Sequence, residues 1–245
     1  MTTSILKQPQ YGFMYNTDTI RNRILTVISG SKAYGTNTPE SDTDVRGICV
    51  ENQSCIFGLQ NFEQLTHKES DTVIFGVKKF FNLALNCNPN IIELLGVDDK
   101  HVLEITECGK LLKSNINLFL SKKAFKSFGG YAKAQLKKTG NSIVNGHPKG
   151  KTSKHMMHCV RLYRMGIEVL NGEGVITSRE NRDRDMLMRF RNGNYSLDDT
   201  KFTTSNLEAQ LQIAYESSEL PDVPDFKRVE ELLMEIYRLS GYTVW

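Results

Sequence analysis

Residues 24–50 constrain the fold of this chain more than any other segment. The run 24–28 is apolar and rich in β-branched residues, which is typical of a buried strand. Gly30 and Ser31, which we call the glycine corner, give a turn signal directly after it, and a polar loop follows. A second apolar stretch lies at 45–50. The segment therefore predicts two strands that are joined by a glycine corner and a polar loop.

Two carboxylates stand at the start of the second strand. Asp42 and Asp44 are two residues apart, and a strand places residues i and i+2 on the same face. We therefore expect both to project towards the glycine corner, where only Arg46 is nearby to neutralise them. Such a pair repels unless a cation joins it, and hard divalent ions such as Mg²⁺ take oxygen ligands and share them with substrate phosphates. Two such ions roughly 3.5–4 Å apart can clamp a phosphoryl transfer. An aspartate-rich turn with a capping role is the structural alternative.

Asp71 is the candidate for a third carboxylate. It begins the stretch 71–76, whose alternating pattern predicts a third strand. An acid on a neighbouring strand can ligate a metal or act as the general base on an attacking hydroxyl. Glu63 and Glu69 compete for this role, and a capping or solvated aspartate is the structural alternative.

A basic face marks the helix that is predicted at 153–171. At about 100° per residue, Lys154, His158 and Arg161 share one face, and an apolar stripe lies opposite. We expect this face to begin at the helix N-terminus, where free N–H groups and the helix dipole favour an anion such as a nucleoside triphosphate. Gly30 would let the backbone approach a phosphate, and Ser31 adds an N–H and a hydroxyl. A solvated surface with packed histidines is the alternative.

Three strings carry a resemblance to a known family. GSKAYGTNTPESDTDVRG, residues 30–47, resembles the signature of the DNA polymerase β-like nucleotidyltransferase superfamily, in its RNA-repair-associated branch, which is common in bacteria and phages. KKFFNLALNCNPNIIELL (78–95) and KHMMHCVRLYRMG (154–166) resemble the same branch. The resemblance implies an enzyme that moves a nucleoside monophosphate from a nucleoside triphosphate to an acceptor hydroxyl and releases pyrophosphate.

The resemblance also implies the parts of the site. The cofactor would be Mg²⁺ or Mn²⁺, the substrate a nucleoside triphosphate such as ATP, and the acceptor an RNA 3′ end such as that of a tRNA. The metal-binding and catalytic residues would be Asp42, Asp44 and Asp71, and the nucleotide-binding residues Gly30, Ser31, Lys154, His158 and Arg161.

We expect an α+β fold with two domains. A polymerase β-like core at 1–120, a small mixed sheet with flanking helices, would precede an all-helical domain at 121–245 that closes the active-site cleft, since ligands favour domain interfaces. From about residue 101 the patterns predict helices only, and residues 139–150, rich in Gly, Asn and Pro, predict a loop with a substrate-facing or mobile role. Five arginines within 178–191 indicate either an ordinary surface or a track for RNA phosphates.

Composition narrows the classes further. A net charge of +3 on 245 residues does not by itself indicate a nucleic-acid binder. Five cysteines without a CxxC or zinc-ligand spacing fit a reducing compartment. No signal-peptide pattern is found, and no apolar run nears the ~20 residues of a membrane span. We expect a cytoplasmic protein that meets no membrane.

Two other hypotheses compete with transfer to RNA. The first is transfer of a nucleotide to a protein side chain, of the AMPylation type. The second is a non-catalytic module that binds a nucleotide or RNA, although an acid pair without an ion would burden a mere binder.

Overall fold

The protein is built around a five-stranded mixed sheet, and the computed structural model describes residues 2–144 and 149–242. The strand order is β3-β4-β2-β1-β5; β2 and β4 are parallel, and the other neighbours are antiparallel. The strands are β1 (Arg23–Ser29), β2 (Asp44–Cys49), β3 (Gln64–His67), β4 (Thr72–Gly76) and β5 (Val102–Ile105).

Helices follow and surround the sheet. The α-helices are α1 (Phe13–Asn16), α2 (Gly30–Tyr34), α3 (Gln53–Ile56), α4 (Val77–Ala84), α5 (Pro89–Ile92), α6 (Glu107–Ser114), α7 (Lys123–Val144), α8 (Lys149–Leu170), α9 (Asn181–Arg191), α10 (Leu197–Ser217) and α11 (Phe226–Leu239). Short 3₁₀ turns lie at Thr2–Lys7, Pro9–Tyr11, Asp18–Ile20, Asp99–His101 and Ile116–Phe119. A mixed sheet with flanking helices that leads into a helical region confirms the predicted α+β class.

Both faces of the sheet are covered, which is why its central strands are almost continuously apolar. On one face Val27 and Ile48 belong to a large core that the helices complete. On the other face Ile28, Val45 and Ile74 form a smaller core with residues from the first turns of the chain. The alternation of the strands between these two cores fixes their register.

Two of the expected element assignments were wrong. Residues 102–105 form strand β5, antiparallel to β1, where the pattern predicted a helix. The strand pairs with β1, and Glu104 forms an ion pair with Arg23 at 2.9 Å. Both are long-range contacts that local periodicity does not reveal. The loop predicted at 139–150 is helical up to Val144 and again from Lys149, and residues 145–148 lie outside the described range.

The larger core draws on both predicted domains. It includes Ile24 of β1 and Ile236 of α11, and α11 returns to pack against α4 and α6. The boundary at residue 120 stays a prediction.

The arginine-rich segment binds other parts of the protein. Arg179 is buried and ion-paired with Glu168, and Arg184 donates a hydrogen bond from Nε to the Gly35 carbonyl at 2.7 Å. These contacts join α9 and the segment before it to Gly35, which follows α2, and to α8, and they favour a structural role for these two side chains.

Among the described residues, no helix combines the length and the apolar character that crossing a membrane requires.

Candidate active site

The glycine corner and Asp44 lie against each other at one end of the sheet. Ser29, the last residue of β1, pairs with Asp44, the first residue of β2. Gly30 therefore comes directly beside the Asp44 carboxylate: a Cβ at Gly30 would lie 2.1 Å from Asp44 Oδ2. Gly30 also has a φ of +65°, which L side chains rarely adopt. Both the backbone conformation and the neighbouring acid require glycine at this position.

Arg46 joins Asp44 to Asp71. Its Nη2 lies 3.1 Å from Asp71 Oδ1 and 3.5 Å from Asp44 Oδ1, and its Nη1 donates to the Asp71 carbonyl at 2.5 Å. The parallel pairing of β2 with β4 brings them together, because Val45 is paired with Thr72. Asp71 itself precedes β4 with a φ of +42°, so it belongs to a turn rather than to the strand.

The two carboxyl groups shift each other's pKa in opposite directions. Burial and the hydrogen bond with Asp71 raise the pKa of Asp44 to about 6, although Arg46 opposes this rise. Burial also acts to raise the pKa of Asp71, but the hydrogen bond with Asp44 and the Arg46 guanidinium outweigh it and lower this pKa. Arg46 alone therefore does not neutralise both acids.

The strand geometry predicted that Asp42 faces the glycine corner, and this prediction was wrong. Strand β2 begins only at Asp44, so Asp42 lies in the preceding loop and the rule that places i and i+2 on one face does not reach it. Asp42 is exposed and lines a separate pocket, which it shares with Asp71. Of the two competing acids, Glu63 is ion-paired with Lys79 at 2.8 Å, and Glu69 is exposed on the turn before Asp71.

A cleft of about 590 Å³ opens above Asp44, between the sheet and the helices α7 and α8. The glycine corner and Asp44 line one wall, and Lys154, His158 and Arg161 line the other. The structure thus brings together both groups of residues that the sequence proposed for one ligand.

The basic face does not begin at a helix N-terminus. Helix α8 starts at Lys149, so Lys154 lies in its second turn and the predicted anion site at free N–H groups was wrong. Lys154 is exposed at the mouth of the cleft, and its charge lowers the pKa of both Asp44 and Asp71. Its contribution to the cleft is therefore a side-chain charge.

Arg161 is committed to a buried network. Its Nη1 lies 2.9 Å from Glu93 Oε2, and the Tyr34 hydroxyl donates to Glu93 Oε1 at 2.7 Å. The guanidinium carbon stands 3.9 Å from the centroid of the Tyr34 ring, and Arg161 Nε has no hydrogen-bond partner among the described residues. The positive charge of Arg161 is balanced by Glu93, a residue that the sequence analysis did not place in the site.

The two histidines of α8 have different surroundings. Burial, together with the Arg161 and Lys154 charges, lowers the pKa of His158 well below its usual range. His158 is therefore a neutral imidazole that can exchange hydrogen bonds with a ligand rather than attract it by charge. His155 Nδ1 lies 2.9 Å from Gln135 Oε1, so it ties α8 to α7.

Sequence reasoning missed the contribution of α7. Tyr131, Gln135 and Lys138 line the cleft, and they stand at positions i, i+4 and i+7 of one helix face. That spacing, with a polar group at each position, was the signal that could have identified this face.

The residues present suit a divalent cation in part. Asp44 and Asp71 supply carboxylate oxygens, the ligands that Mg²⁺ prefers, and both lie beside Arg46. No group of three His, Cys, Asp or Glu side chains close enough to hold a metal ion occurs within the described ranges. A role for Asp42 as a third ligand stays a prediction.

Comparisons with known proteins give a family match and matches to solved structures. The family described as "RlaP: RNA repair pathway DNA polymerase beta family" matches residues 16–235, a range that includes the glycine corner, Asp71 and α8. A nucleotidyltransferase-like protein from Exiguobacterium sibiricum 255-15 aligns with 10% sequence identity, over 93% of this chain and 78% of that chain, with a TM-score of 0.30. No curated protein matches the chain.

Proposed function

We propose that the chain, which belongs to the RNA repair pathway DNA polymerase beta family, adds a nucleoside monophosphate to an RNA 3′ end. The family match confirms the resemblance and makes the chain a nucleotidyltransferase-like enzyme. The hydroxyl oxygen of the acceptor forms a bond to the α-phosphorus of a nucleoside triphosphate. The bond between the α-phosphorus and the oxygen that it shares with the β-phosphorus breaks, and pyrophosphate leaves. The hydroxyl proton passes through Asp71 to solvent.

One observation carries the proposal: Asp44 stands between the glycine corner and Asp71 at the base of the cleft. A nucleotide in the cleft has its phosphates beside Gly30 and Ser31, where Ser31 offers its N–H and its hydroxyl. Lys154 supplies a positive charge at the mouth of the cleft. This charge favours the pyrophosphate as negative charge accumulates on it.

Asp44 and Asp71 are the residues that hold the divalent cation in this proposal, and Asp42, which lines a pocket with Asp71, is the predicted third ligand. When bound, Mg²⁺ or Mn²⁺ supplies a Lewis acid that neutralises the phosphate oxygens and the leaving group. The lowered pKa of Asp71 makes it a weak base, so its main task is to orient the acceptor hydroxyl by accepting its hydrogen bond. Arg46 holds both carboxylates in register for that task.

His158 and Arg161 complete the nucleotide side. His158 is neutral and lines the cleft, so it suits a hydrogen bond to a sugar or base. Arg161 keeps its pair with Glu93 and lines the cleft with its guanidinium. The predicted closing domain contributes α7 and α8 as the second wall.

Transfer of labelled nucleotide tests the proposal. The purified protein is incubated with each α-³²P-labelled nucleoside triphosphate, Mg²⁺ or Mn²⁺, and single-stranded RNA with a free 3′-hydroxyl. We expect label in RNA, lost in Asp44→Asn and retained in Asp18→Asn, a surface aspartate that pairs only with Arg21 at 3.7 Å. Label in protein, or RNA labelling that survives Asp44→Asn, contradicts the proposal.

A further inference from the structure

We propose that a polar pocket on the far side of Asp71 binds the terminal ribose of the acceptor strand through its free hydroxyl groups. The pocket has a volume of about 380 Å³. One wall consists of Gln8, Gln10 and Tyr11, and the other includes Asp42, Lys68 and Asp71. We call it the N-terminal pocket. This inference rests on the proposed function, because it concerns the second substrate of the same reaction.

The N-terminal pocket adjoins the nucleotide cleft. Asp71 lines the pocket, Arg46 lines the cleft, and the two side chains are 3.1 Å apart. A hydroxyl group held in the pocket beside Asp71 therefore approaches the Asp44–Asp71 pair from the side opposite the glycine corner. Transfer between two substrates requires such an arrangement, with the acceptor and the nucleotide on either side of the acids.

Tyr11 is the observation that points to a ligand. Its ring is only 2% exposed, yet it lines the pocket, and no hydrogen bond to its hydroxyl is found among the described residues. Burial and the charge of Asp71 raise the pKa of Tyr11, so the phenol stays protonated and close to the acid. The side chain is almost fully enclosed while the hydroxyl is not among the enclosed, unpaired atoms, so it is open to the pocket, and a ligand hydroxyl there can form the hydrogen bond that no described residue supplies.

The segment that carries Tyr11 is firmly attached to the sheet. Leu6, Tyr11 and Met14 pack into the smaller core against Ile28 and its neighbours, and the Phe13 ring stacks on the His67 ring at 4.0 Å. The family match begins only at residue 16, so Gln8, Gln10 and Tyr11 come from a part of this chain outside the matched range. The pocket wall is thus a feature of this chain rather than of the matched range.

The chemistry of the lining indicates which acceptor end fits. Asp42, Glu69 and Asp71 face a single lysine, Lys68. Arg46 pairs with Asp71 from the cleft side, so before a cation binds the lining keeps an excess of carboxylates, which accept hydrogen bonds from hydroxyl groups and repel phosphate. A ribose with free 2′- and 3′-hydroxyl groups suits this lining, whereas a terminal 3′-phosphate does not. The reaction that supplies the acceptor must therefore leave, or restore, an unphosphorylated end.

Binding of two short oligoribonucleotides tests the pocket without any transfer step. Both carry the same sequence and a 5′ fluorophore; one ends in a 3′-hydroxyl and the other in a 3′-phosphate. Fluorescence anisotropy gives the Kd for the wild-type protein, for Tyr11→Phe, for Gln10→Ala and for Tyr15→Phe. Tyr15 is a matched control, because it is exposed and its hydroxyl lies 3.4 Å from Glu104, outside the pocket.

We expect the hydroxyl-ended strand to bind more tightly than the phosphate-ended one, and Tyr11→Phe to weaken its binding about 3- to 10-fold, the value of one hydrogen bond. Gln10→Ala should act in the same direction, while Tyr15→Phe should have no effect. Equal binding of the two strands, or a Tyr11→Phe protein that binds both as the wild type does, overturns the proposal. Equal weakening of both strands also overturns it, because it reports a general change in the protein.

The outcomes for the pocket and for the proposed function can be separated. If the protein binds the hydroxyl-ended strand in a Tyr11-dependent manner but transfers no nucleotide, the pocket stands and the proposed function fails. If transfer to RNA occurs and Tyr11→Phe leaves the KM for RNA unchanged, the function stands and the pocket is wrong.

Discussion

Glu93 and Arg161 form a buried ion pair beneath the nucleotide cleft, with Oε2 and Nη1 2.9 Å apart and side chains 7% and 3% exposed. Glu93 follows α5, Arg161 lies in the middle of α8, and the Tyr34 hydroxyl of α2 donates to the same carboxylate at 2.7 Å. The pair therefore connects the element after the glycine corner to the helix that forms the opposite wall. Burial alone would lower the pKa of Arg161, but Tyr34 and Glu93 raise it.

Removing one partner of this pair should destabilise the protein strongly. Glu93→Gln leaves the Arg161 charge buried and uncompensated, which costs about 3–5 kcal/mol of unfolding free energy. The double variant Glu93→Leu/Arg161→Met, which removes both charges, should recover most of that loss. Urea denaturation of the three proteins measures both effects. A Glu93→Gln protein that unfolds like the wild type would show that the pair contributes nothing to stability.

Gly30→Ala should abolish transfer at a modest cost in stability. A non-glycine residue at positive φ costs about 1–2 kcal/mol, and the added Cβ, 2.1 Å from Asp44 Oδ2, must displace that carboxylate. Gly130→Ala is the matched control, because a Cβ there meets no atom within 4 Å and alanine favours a helix by about 0.5–1 kcal/mol. Single-turnover rates and thermal melting of both variants test this; a Gly30→Ala protein with the wild-type rate would contradict it.

Binding of Mn²⁺ should weaken as the pH falls through about 6, because the pKa of Asp44 is raised to about 6 and a proton then competes with the cation for the carboxylates. The stability of the metal-free protein changes in the opposite direction. Because the folded-state pKa of Asp44 lies above the ordinary 3.8, the free energy of unfolding rises as the pH falls through about 6 towards 3.8. Electron paramagnetic resonance of free Mn²⁺ measures the affinity. Asp44→Asn should bind weakly at every pH, and an affinity that does not change with pH in the wild type would exclude this account.

His158 should make the protein less stable in acid. Its folded-state pKa lies well below 6.5, mainly through burial, so below about pH 6.5 the unfolded chain binds a proton that the folded chain does not. The free energy of unfolding therefore falls with decreasing pH, at most by about 1.4 kcal/mol per pH unit from this residue. Urea denaturation of the wild type and His158→Gln between about pH 7.5 and about pH 5.5 isolates the contribution. Parallel pH profiles of the two proteins would contradict it.

Local patterns were sufficient where local chemistry decides the structure. The β-branched run at 24–28 and the apolar run at 45–50 formed β1 and β2, because both faces of these strands are buried. Gly30 was recognisable as a turn residue because glycine, which has no Cβ, adopts a positive φ more readily than other residues. The order of motifs along the chain also sufficed to identify the family.

Tertiary structure decided what each side chain contacts. Strand β2 begins at Asp44 and not at Asp42, because pairing with Ser29 and with the residues after Asp71 starts there, and no local pattern specifies that register. Strand β5 depends in the same way on its partner β1. Arg161 has the same sequence signal whether its charge meets a ligand or Glu93, 68 positions away. The chemical groups of this protein and its two central strands could be recognised in the sequence alone. Long-range packing determined which groups meet, because a contact between distant residues depends on the whole fold.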